Sequence, residues 1–242
     1  MTTDYSNVNN TIAPLSNVMR FTELVERLVN RPPELPGFGV FAGKAGLGKT
    51  FSAIYAINKF RARYIECDYT WTQKAFCEAL MVELGMLTPR SRLSMPIYRA
   101  VAEIGDNIAD NPGRPLIIDE ADFLVKRKMI EIVRAIYKHC AGAGASIILI
   151  GEENMPNALK MWERVDSRVL KSVKAQPISE DDVKVLAGMV CQHLKFDKPA
   201  VQRLTRSSGG SARRVVTRLH DIKEAAGVNG WETITAEELE AL

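Results

Sequence analysis

Several patterns that would assign this chain to a special class are missing from its sequence. No run of about 18 apolar residues occurs, so we expect no membrane-spanning helix. The polar N-terminus also lacks the charged-then-apolar leader of a secreted protein. The four cysteines are scattered without a Cys-x-x-Cys pair, which favours reduced thiols over disulfides or metal ligands. We therefore expect a cytoplasmic protein with no membrane partner.

Excess charge of either sign is also missing. The formal net charge of the 242 residues is only +3, which is too small by itself to indicate a nucleic-acid partner. Hydrophobic residues make up 46% of the chain and charged residues 25%, as in a soluble globular protein. The length suits one large domain or two modest ones. Any role of charge must therefore come from its distribution along the chain.

A complete phosphate-binding loop is the most informative motif present. Its residues are Gly43-Lys44-Ala45-Gly46-Leu47-Gly48-Lys49-Thr50, and Phe51 follows directly. An apolar run precedes the loop and a helix-like segment follows it, which is the context that a true site requires. The glycines let backbone N–H groups approach phosphate oxygens, Lys49 can reach the β- and γ-phosphates, and the Thr50 hydroxyl can ligate Mg²⁺. The motif predicts binding of ATP with Mg²⁺, and we expect all nine residues to contribute to the nucleotide-binding site.

From Phe38 onward, short apolar runs alternate with longer helical patterns, and we predict that residues 16–176 form one domain. Alternation of this kind predicts an α/β domain with a five-stranded parallel sheet covered on both faces by helices. The predicted strands are 38–42, 62–67, 115–119, 146–150 and 171–175, and the predicted helices are about 17–30, 71–84, 95–109, 127–141 and 154–165.

The pattern changes at the end of this domain. Beyond it only helical periodicity is found, at about 180–194, 198–206, 211–226 and 235–241. We therefore predict a small all-helical domain over 177–242. Residues 1–15 are expected to form a flexible lead.

An acidic pair at the end of the third predicted strand indicates hydrolysis. Asp119 and Glu120 follow the apolar run that begins at Leu116, some 70 residues after the phosphate loop. Ligands of parallel sheets bind at the carboxyl ends of strands, where both the loop and this pair fall. We expect Asp119 to hold Mg²⁺ and Glu120 to act as the general base that activates water. The chain is therefore predicted to be an ATPase.

With these two motifs in a P-loop NTPase fold, the chain resembles the AAA+ ATPases over nearly its whole length. The resemblance implies that residues 177–242 form the family's lid domain. It implies a sensor residue after the fourth strand, for which Glu152 and Asn154 are the candidates, and a second sensor in the lid, Arg213 of Gly210-Ser-Ala-Arg213. It also implies an arginine finger that reaches a neighbouring subunit's nucleotide. Arg168 is the preferred candidate for the finger, with Arg164 close behind.

Within that superfamily the chain resembles the MuB/TnsC family of DNA transposition regulators. The residues that carry the likeness are the compact phosphate loop, Ile117-Ile-Asp-Glu-Ala-Asp122, Leu149-Ile-Gly151, and Ser167-Arg168 ahead of Gln176-Pro-Ile-Ser179. Secretion-type ATPases and helicase loaders share several of these features. The resemblance implies a phage- or transposon-encoded ATPase in a bacterial host, which coats double-stranded DNA as an ATP-dependent oligomer or helical filament. It would then activate a partner transposase and leave the DNA after hydrolysis.

The charge distribution is compatible with DNA binding but leaves the contact residues open. Residues 195–224 contain eight Lys or Arg against three acidic residues. Other basic clusters are Lys59/Arg61/Arg63, Arg90/Arg92 and Lys126–Lys128, and a solvated face explains any one of them equally well. Two alternative functions remain at this point. One is a helicase loader or remodelling ATPase that acts on a protein partner, and the other is a nucleotide-gated adaptor with little hydrolysis.

Overall fold

The computed structural model describes residues 14–240, so most of the predicted N-terminal lead, residues 1–13, lies outside the described residues. The described chain divides into two compact units. The larger unit comprises Arg20–Gly43 and Ser52–Lys174, and the smaller comprises residues 14–19, Lys44–Phe51 and residues 175–240. The smaller unit therefore combines residues 44–50 of the phosphate loop, the first residues of the described chain and the C-terminal segment.

A five-stranded sheet forms the centre of the larger unit. Its spatial order is β2-β3-β4-β1-β5, and every neighbouring pair of strands is parallel. The strands are β1 Phe38–Ala42, β2 Arg63–Glu66, β3 Leu116–Asp119, β4 Ile147–Gly151 and β5 Val169–Lys174. The predicted fold class is confirmed, since the sheet has the predicted number of strands and all of them are parallel.

Alternation of side chains along β1 explains why the sheet is covered on both faces. Phe38 points to one face, where its ring lies 4.8 Å from that of Tyr137. Phe41 points to the opposite face, where its ring centroid is 5.1 Å from that of Phe21. Gly39 shares the face of Phe41, and a Cβ at this position would come 2.3 Å from Leu28 Cδ1. Because glycine leaves that space open, the helix that carries Phe21 and Leu28 packs directly against the strand.

Helices occupy most of the chain between the strands. Those that precede or connect the five strands are α1 Ser16–Val29, α2 Lys49–Phe60, α3 Gln73–Glu83, α4 Ile97–Ala109, α5 Asp122–Lys126, α6 Ile130–Cys140, α7 Met155–Leu159 and α8 Glu163–Asp166. The predicted helix over 154–165 is wrong as one element, because the chain breaks at residues 160–162 and forms two short helices instead. The short helix α5 was not predicted, since five residues are too few to show a helical period.

The C-terminal part of the smaller unit consists mainly of α9 Glu180–Val190, α10 Lys198–Ser207 and α11 Ala212–Asn229. The prediction that this segment is entirely helical needs a correction. Two short strands, β6 Lys195–Phe196 and β7 Thr233–Ile234, pair in parallel, and residues 236–240 form turns where a helix was expected. Strands of two residues carry no periodicity, so the sequence could not reveal them.

Two expectations based on missing patterns can be compared with the structure. In the part of the chain that the structure describes, no helix combines the length and the apolar character needed to cross a bilayer. The four cysteines, Cys67, Cys77, Cys140 and Cys191, are free and buried. Over residues 14–240 no group of three or more His, Cys, Asp or Glu side chains is arranged to hold a metal ion. Because the four cysteines are buried, their side chains contribute to the packing of the fold.

Candidate functional site

The phosphate loop follows β1 at the carboxyl edge of the sheet. Gly43, its first residue, donates a backbone hydrogen bond of 3.2 Å to the carbonyl of Gly151 at the end of β4. Gly46 and Gly48 both have positive φ angles, 82° and 84°, which an L-residue adopts only with strain. The helix α2 then begins at Lys49. The glycines at these positions are thus required by the turn itself.

The donors of this loop fit a triphosphate. Helix α2 has its N-terminus at the loop, so its first N–H groups and its dipole favour an anion there. Lys49 Nζ lies 3.0 Å from the carbonyl oxygen of Lys44, which places the ammonium group across the loop. Thr50 is the next residue of the helix, and its hydroxyl is of the oxygen type that Mg²⁺ prefers.

The carbonyl groups of the loop are held from the outside by residues of the same unit. Gly46 O accepts a hydrogen bond of 3.2 Å from the backbone N–H of Arg213 and one of 3.3 Å from the Ser211 hydroxyl. Leu47 O accepts a hydrogen bond of 2.9 Å from the side-chain amide of Asn17. A carbonyl bound in this way is fixed in direction, and this fixes the orientation of the peptide groups that must present N–H groups to a phosphate.

Asn17 is a site residue that the sequence analysis missed. Its amide group donates to the carbonyl of Gln176 at 2.8 Å, and its side-chain oxygen accepts from the backbone N–H of Gln176 at 2.9 Å. Asn17 is 8% exposed, so these bonds are made away from water. The contact with Leu47 joins residues 30 positions apart, and no local sequence pattern indicates it.

Arg213, the predicted second sensor, lies beside the phosphate loop. It is the second residue of α11, after the N-cap residue Ser211, whose hydroxyl accepts from the backbone N–H of Arg214. The Arg213 side chain is exposed, and a Cβ placed on Gly46 would come within 3.8 Å of Arg213 Cβ. The predicted contact of Arg213 with a bound nucleotide remains a prediction.

The acidic pair ends β3, as the sequence indicates. Asp119 is the last residue of the strand and is 1% exposed. Its carboxylate accepts hydrogen bonds from the Tyr64 hydroxyl at 3.1 Å and from the backbone N–H of Glu120 at 2.8 Å. A buried and oriented carboxylate of this kind suits a metal ligand or a group that positions metal-bound water. Tyr64 was not predicted as a site residue.

Glu120 adopts an unusual backbone conformation for a glutamate. Its φ angle is 52°, in the left-handed region, and the following residue, Ala121, donates a hydrogen bond of 2.8 Å to Ile150 O on β4. The bond to β4 and the bond to the Asp119 side chain hold the turn in this conformation. A folded chain maintains such a costly conformation only where the surroundings impose it, and residues in such conformations cluster at functional sites.

The groups next to Asp119 respond to its charge. Glu66 on β2 is in register with Asp119, and burial together with that negative charge raises the pKa of Glu66. Burial is also the main cause of the raised pKa of the Cys67 thiol, with Asp119 as the next contributor. The Cys67 thiol is therefore protonated and unreactive at neutral pH.

The sensor candidates after β4 differ in their surroundings. Lys126 bridges Asp122 and Glu152, with distances of 2.7 Å and 3.0 Å from Nζ to the two carboxylates. The hydrogen bonds that Lys126 donates to Asp122 and Glu152 raise the pKa of Lys126. Asn154 lies three residues beyond β4, is exposed, and accepts a hydrogen bond of 3.3 Å from the Asn157 amide. The sensor role assigned to Asn154 stays a prediction.

The two candidate finger residues lie at the opposite edge of the sheet from the acidic pair. The carbonyl of Arg168 accepts a hydrogen bond of 2.9 Å from the N–H of Phe38, the first residue of β1. Since a strand rises about 3.3 Å per residue, the five residues of β1 separate this edge from the carboxyl edge by roughly 15 Å. The Arg168 guanidinium group donates to the carbonyl of Arg164, and the Arg164 side chain is exposed.

Comparison with known proteins identifies relatives of this architecture. The family model described as "AAA domain" matches residues 33–159. No curated protein is similar enough in sequence to match the chain. Among solved structures, the Orc1 protein of Aeropyrum pernix in complex with DNA superposes with a TM-score of 0.64 at 18% identity, over 93% of this chain and 63% of that one.

Two further solved structures have the same fold. Cdc6p of Pyrobaculum aerophilum has a TM-score of 0.59 at 15% identity, over 90% of this chain and 62% of that one. A RuvB variant of Thermotoga maritima has a TM-score of 0.62 at 14% identity, over 92% of this chain and 66% of that one. This chain therefore spans less than two thirds of the length of each of these three proteins, and at these identities the likeness concerns the fold.

Proposed function

Because the chain belongs to the AAA domain family, we propose that it is an ATPase that assembles on double-stranded DNA and activates that DNA for a transposase. The observation that carries the ATPase part is the turn at Asp119 and Glu120. A buried carboxylate and a strained glutamate follow each other at the carboxyl edge of the sheet, where Gly43 begins the phosphate loop. Parallel sheets bind their ligands at this edge.

The residues divide the chemistry of hydrolysis among themselves. The loop N–H groups and Lys49 bind and orient the phosphates of ATP, and Thr50 and Asp119 are the oxygen ligands suited to Mg²⁺. When bound, Mg²⁺ neutralises charge that develops on the phosphate oxygens. Glu120 orients the attacking water and removes a proton from it, as a general base does within hydrogen-bonding reach. Asn154 and Arg213 are proposed as the two sensor residues, whose side chains contact the bound nucleotide.

The position of Arg168 supports a finger that acts on a neighbouring subunit. At roughly 15 Å from the carboxyl edge, the Arg168 backbone is too distant for its side chain to serve the Asp119–Glu120 turn of its own chain. A second subunit placed head to tail would bring Arg168, or Arg164, to the neighbour's nucleotide. Contacts of this type generate rings or helical filaments. ATP bound in such an interface stabilises the assembled state, so assembly depends on ATP.

The proposal of a role in transposition comes from the likeness of the motifs to the MuB/TnsC family. We propose that the chain acts in the cytoplasm of a bacterial host, is encoded by a phage or transposon, and binds the DNA backbone without strong sequence preference. In a filament, weak contacts repeat along the DNA, so a net charge of +3 per chain is sufficient. Hydrolysis of ATP then releases the coat.

The test combines two measurements on the same protein. The rate of ATP hydrolysis is measured with and without duplex DNA, and electron microscopy records whether filaments form in each nucleotide state. We expect slow hydrolysis by the protein alone, stimulation by DNA, and filaments only with ATP. The variant Lys49→Ala serves as the control and should show neither hydrolysis nor filaments. Stimulation by a protein partner but not by DNA would contradict the proposal.

A further inference from the structure

A cavity of about 350 Å³ lies in the C-terminal part of the smaller unit, and three arginine residues line it. Arg203 belongs to α10, while Arg214 and Arg218 lie one turn apart on α11. Residues four apart share one face of a helix, so the two arginines of α11 face the same side. None of the three residues belongs to the phosphate loop or to the acidic turn.

The lining of the cavity has two parts of different character. Leu204 and Val215 are 2% and 1% exposed, and they supply the apolar part of the lining. Arg203 and Arg214 are exposed and Arg218 is half-buried. The cavity is therefore apolar where it is buried and cationic where it meets solvent. Because its charged groups lie at the solvent-exposed rim, this cavity favours an anion bound at the rim over a fully buried ligand.

The positive charge at the cavity is only partly balanced by the protein. Arg203 forms an ion pair with Glu240. Over residues 14–240, no carboxylate forms an ion pair with Arg214 or Arg218. Arg214 Nη1 lies over the turn at Gly209, where a Cβ would come within 3.4 Å of it. Guanidinium groups brought to one cavity repel each other, and an anion bound among them removes that repulsion.

We propose that this cavity binds a backbone phosphate of duplex DNA. The inference rests on the proposed function and specifies which basic residues contact the DNA. The planar fork of arginine matches the geometry of phosphate oxygens, which favours phosphate among the possible anions. The exposed position of Arg203 and Arg214 allows a long polymer to reach them. Residues 195–224, which include the three arginines of the cavity, carry eight Lys or Arg against three acidic residues, and this excess of positive charge favours a polyanion over one free phosphate.

Glu240 competes with DNA in this arrangement. Its ion pair with Arg203 is exposed, with 62% of the Glu240 side chain accessible, and exposed pairs contribute little free energy. A phosphate can therefore replace the carboxylate at Arg203. Removing the charge of Glu240 should strengthen DNA binding, and a gain of this kind cannot arise from loss of folding.

The experiment measures binding of a fluorescent random-sequence duplex by anisotropy over a series of salt concentrations, with ATP present. The test variant is Arg214→Gln/Arg218→Gln, and the matched control is Arg90→Gln/Arg92→Gln, which removes the same charge from an exposed loop. We expect the test variant to bind about tenfold more weakly, with a salt slope lower by about two. The control pair should keep the wild-type slope. Glu240→Gln should bind a few times more tightly than wild type.

Four other outcomes would overturn the proposed DNA contact. Equal losses in the test and control pairs would reduce the effect to net charge and overturn the proposal. Unchanged DNA binding by the test variant would overturn it while leaving the proposed function intact. Inorganic phosphate, titrated in a parallel arm, distinguishes the source. If phosphate binds wild type but not the test variant, and DNA affinity is the same in both, the cavity is a free-phosphate site. A wild-type chain that does not bind duplex DNA would overturn both proposals.

Discussion

Glu120 lies in the left-handed region of backbone conformation at the end of a buried strand. A non-glycine residue held in a sparsely populated conformation costs about 1–3 kcal/mol. Hydrogen bonds from Glu120 N to Asp119 and from Ala121 N to Ile150 O maintain it. A residue that adopts this conformation despite its free-energy cost is one whose side-chain direction is important for function. The strained backbone of Glu120 thus supports the proposed role of this residue as the general base, in addition to its place in a motif.

Replacement of Glu120 by Gln tests its chemical role without altering this geometry. Gln has nearly the same shape, so the backbone strain and the fold should be unchanged. The amide cannot accept the proton of the attacking water, and we expect hydrolysis to fall by about 10²–10⁴-fold while ATP binding persists. Phosphate release and nucleotide retention are the two measurements. Glu163→Gln, an exposed substitution on α8, is the control. Normal turnover by Glu120→Gln would show that another group is the base.

Substitution of Asn17 tests whether the hydrogen bonds to the phosphate-loop carbonyls are important for ATP binding. Asn17→Ala leaves the carbonyl of Leu47 and both backbone groups of Gln176 without their buried partner. Loss of such a bond costs about 1–3 kcal/mol, so we expect ATP binding to weaken by roughly tenfold. Titration with a fluorescent ATP analogue measures the effect, and Asn30→Ala at an exposed position is the control. ATP affinity equal to that of wild type would show that Asn17 has only a structural role.

At the scale of elements, helix α9 shows how a local sequence signal acquires a tertiary partner. Ser179 and Asp182 form a capping box, in which each side chain binds the backbone N–H of the other residue. Asp182 also accepts hydrogen bonds from the N–H and hydroxyl of Ser16, at 2.7 Å and 3.0 Å. Burial opposes ionisation of Asp182, but these hydrogen bonds outweigh it and hold its pKa below the ordinary value.

Asp182→Ala should therefore lower the free energy of unfolding by about 2 kcal/mol at neutral pH. A carboxyl group whose pKa is lower in the folded state stabilises the fold above its unfolded-state pKa, and this contribution is lost as the pH falls through the folded-state value. The difference between wild type and variant should shrink below about pH 4. Urea unfolding over a pH series measures it. Asp181→Ala, with an 89% exposed side chain, should change stability by less than about 0.5 kcal/mol.

The elements that were predicted well are those whose residues carry a clear period or a specific loop chemistry. Strands β1, β3 and β4 are continuous apolar runs buried on both faces, and their predicted bounds agree with the structure to within one residue. The break at residues 160–162 in the predicted helix 154–165 and the pairing of β6 with β7 were missed. Both depend on contacts distant in sequence or on segments too short to show a period.

At the scale of the whole molecule, the main prediction concerns catalysis shared between subunits. Arg168→Ala and Glu120→Gln should each be nearly inactive alone, because one lacks the finger and the other lacks the base. When the two are mixed, an Arg168→Ala subunit keeps its own base and can receive Arg168 from a Glu120→Gln neighbour. Random association of equal amounts should restore about one quarter of the sites. Steady-state hydrolysis of the mixture measures the recovery.

Lack of recovery on mixing would place the finger within the same chain or assign it to another residue. The same mixing experiment with Arg164→Ala in place of Arg168→Ala determines which of the two arginines serves as the finger. A mixture of Lys49→Ala with Glu120→Gln is the negative control, since neither variant can supply a competent nucleotide site.

The sequence by itself determined the phosphate loop, the acidic pair, the parallel sheet and the AAA+ resemblance, because each depends on residues that are adjacent in the chain or on a regular period. Only the tertiary structure decided which distant residues support them. Asn17 at Leu47, Tyr64 at Asp119 and the three arginines around one cavity meet through folding, and no local pattern encodes such meetings. The physical reason is that hydrogen bonds and charge repulsion depend on distance in space, whereas a sequence motif records only distance along the chain.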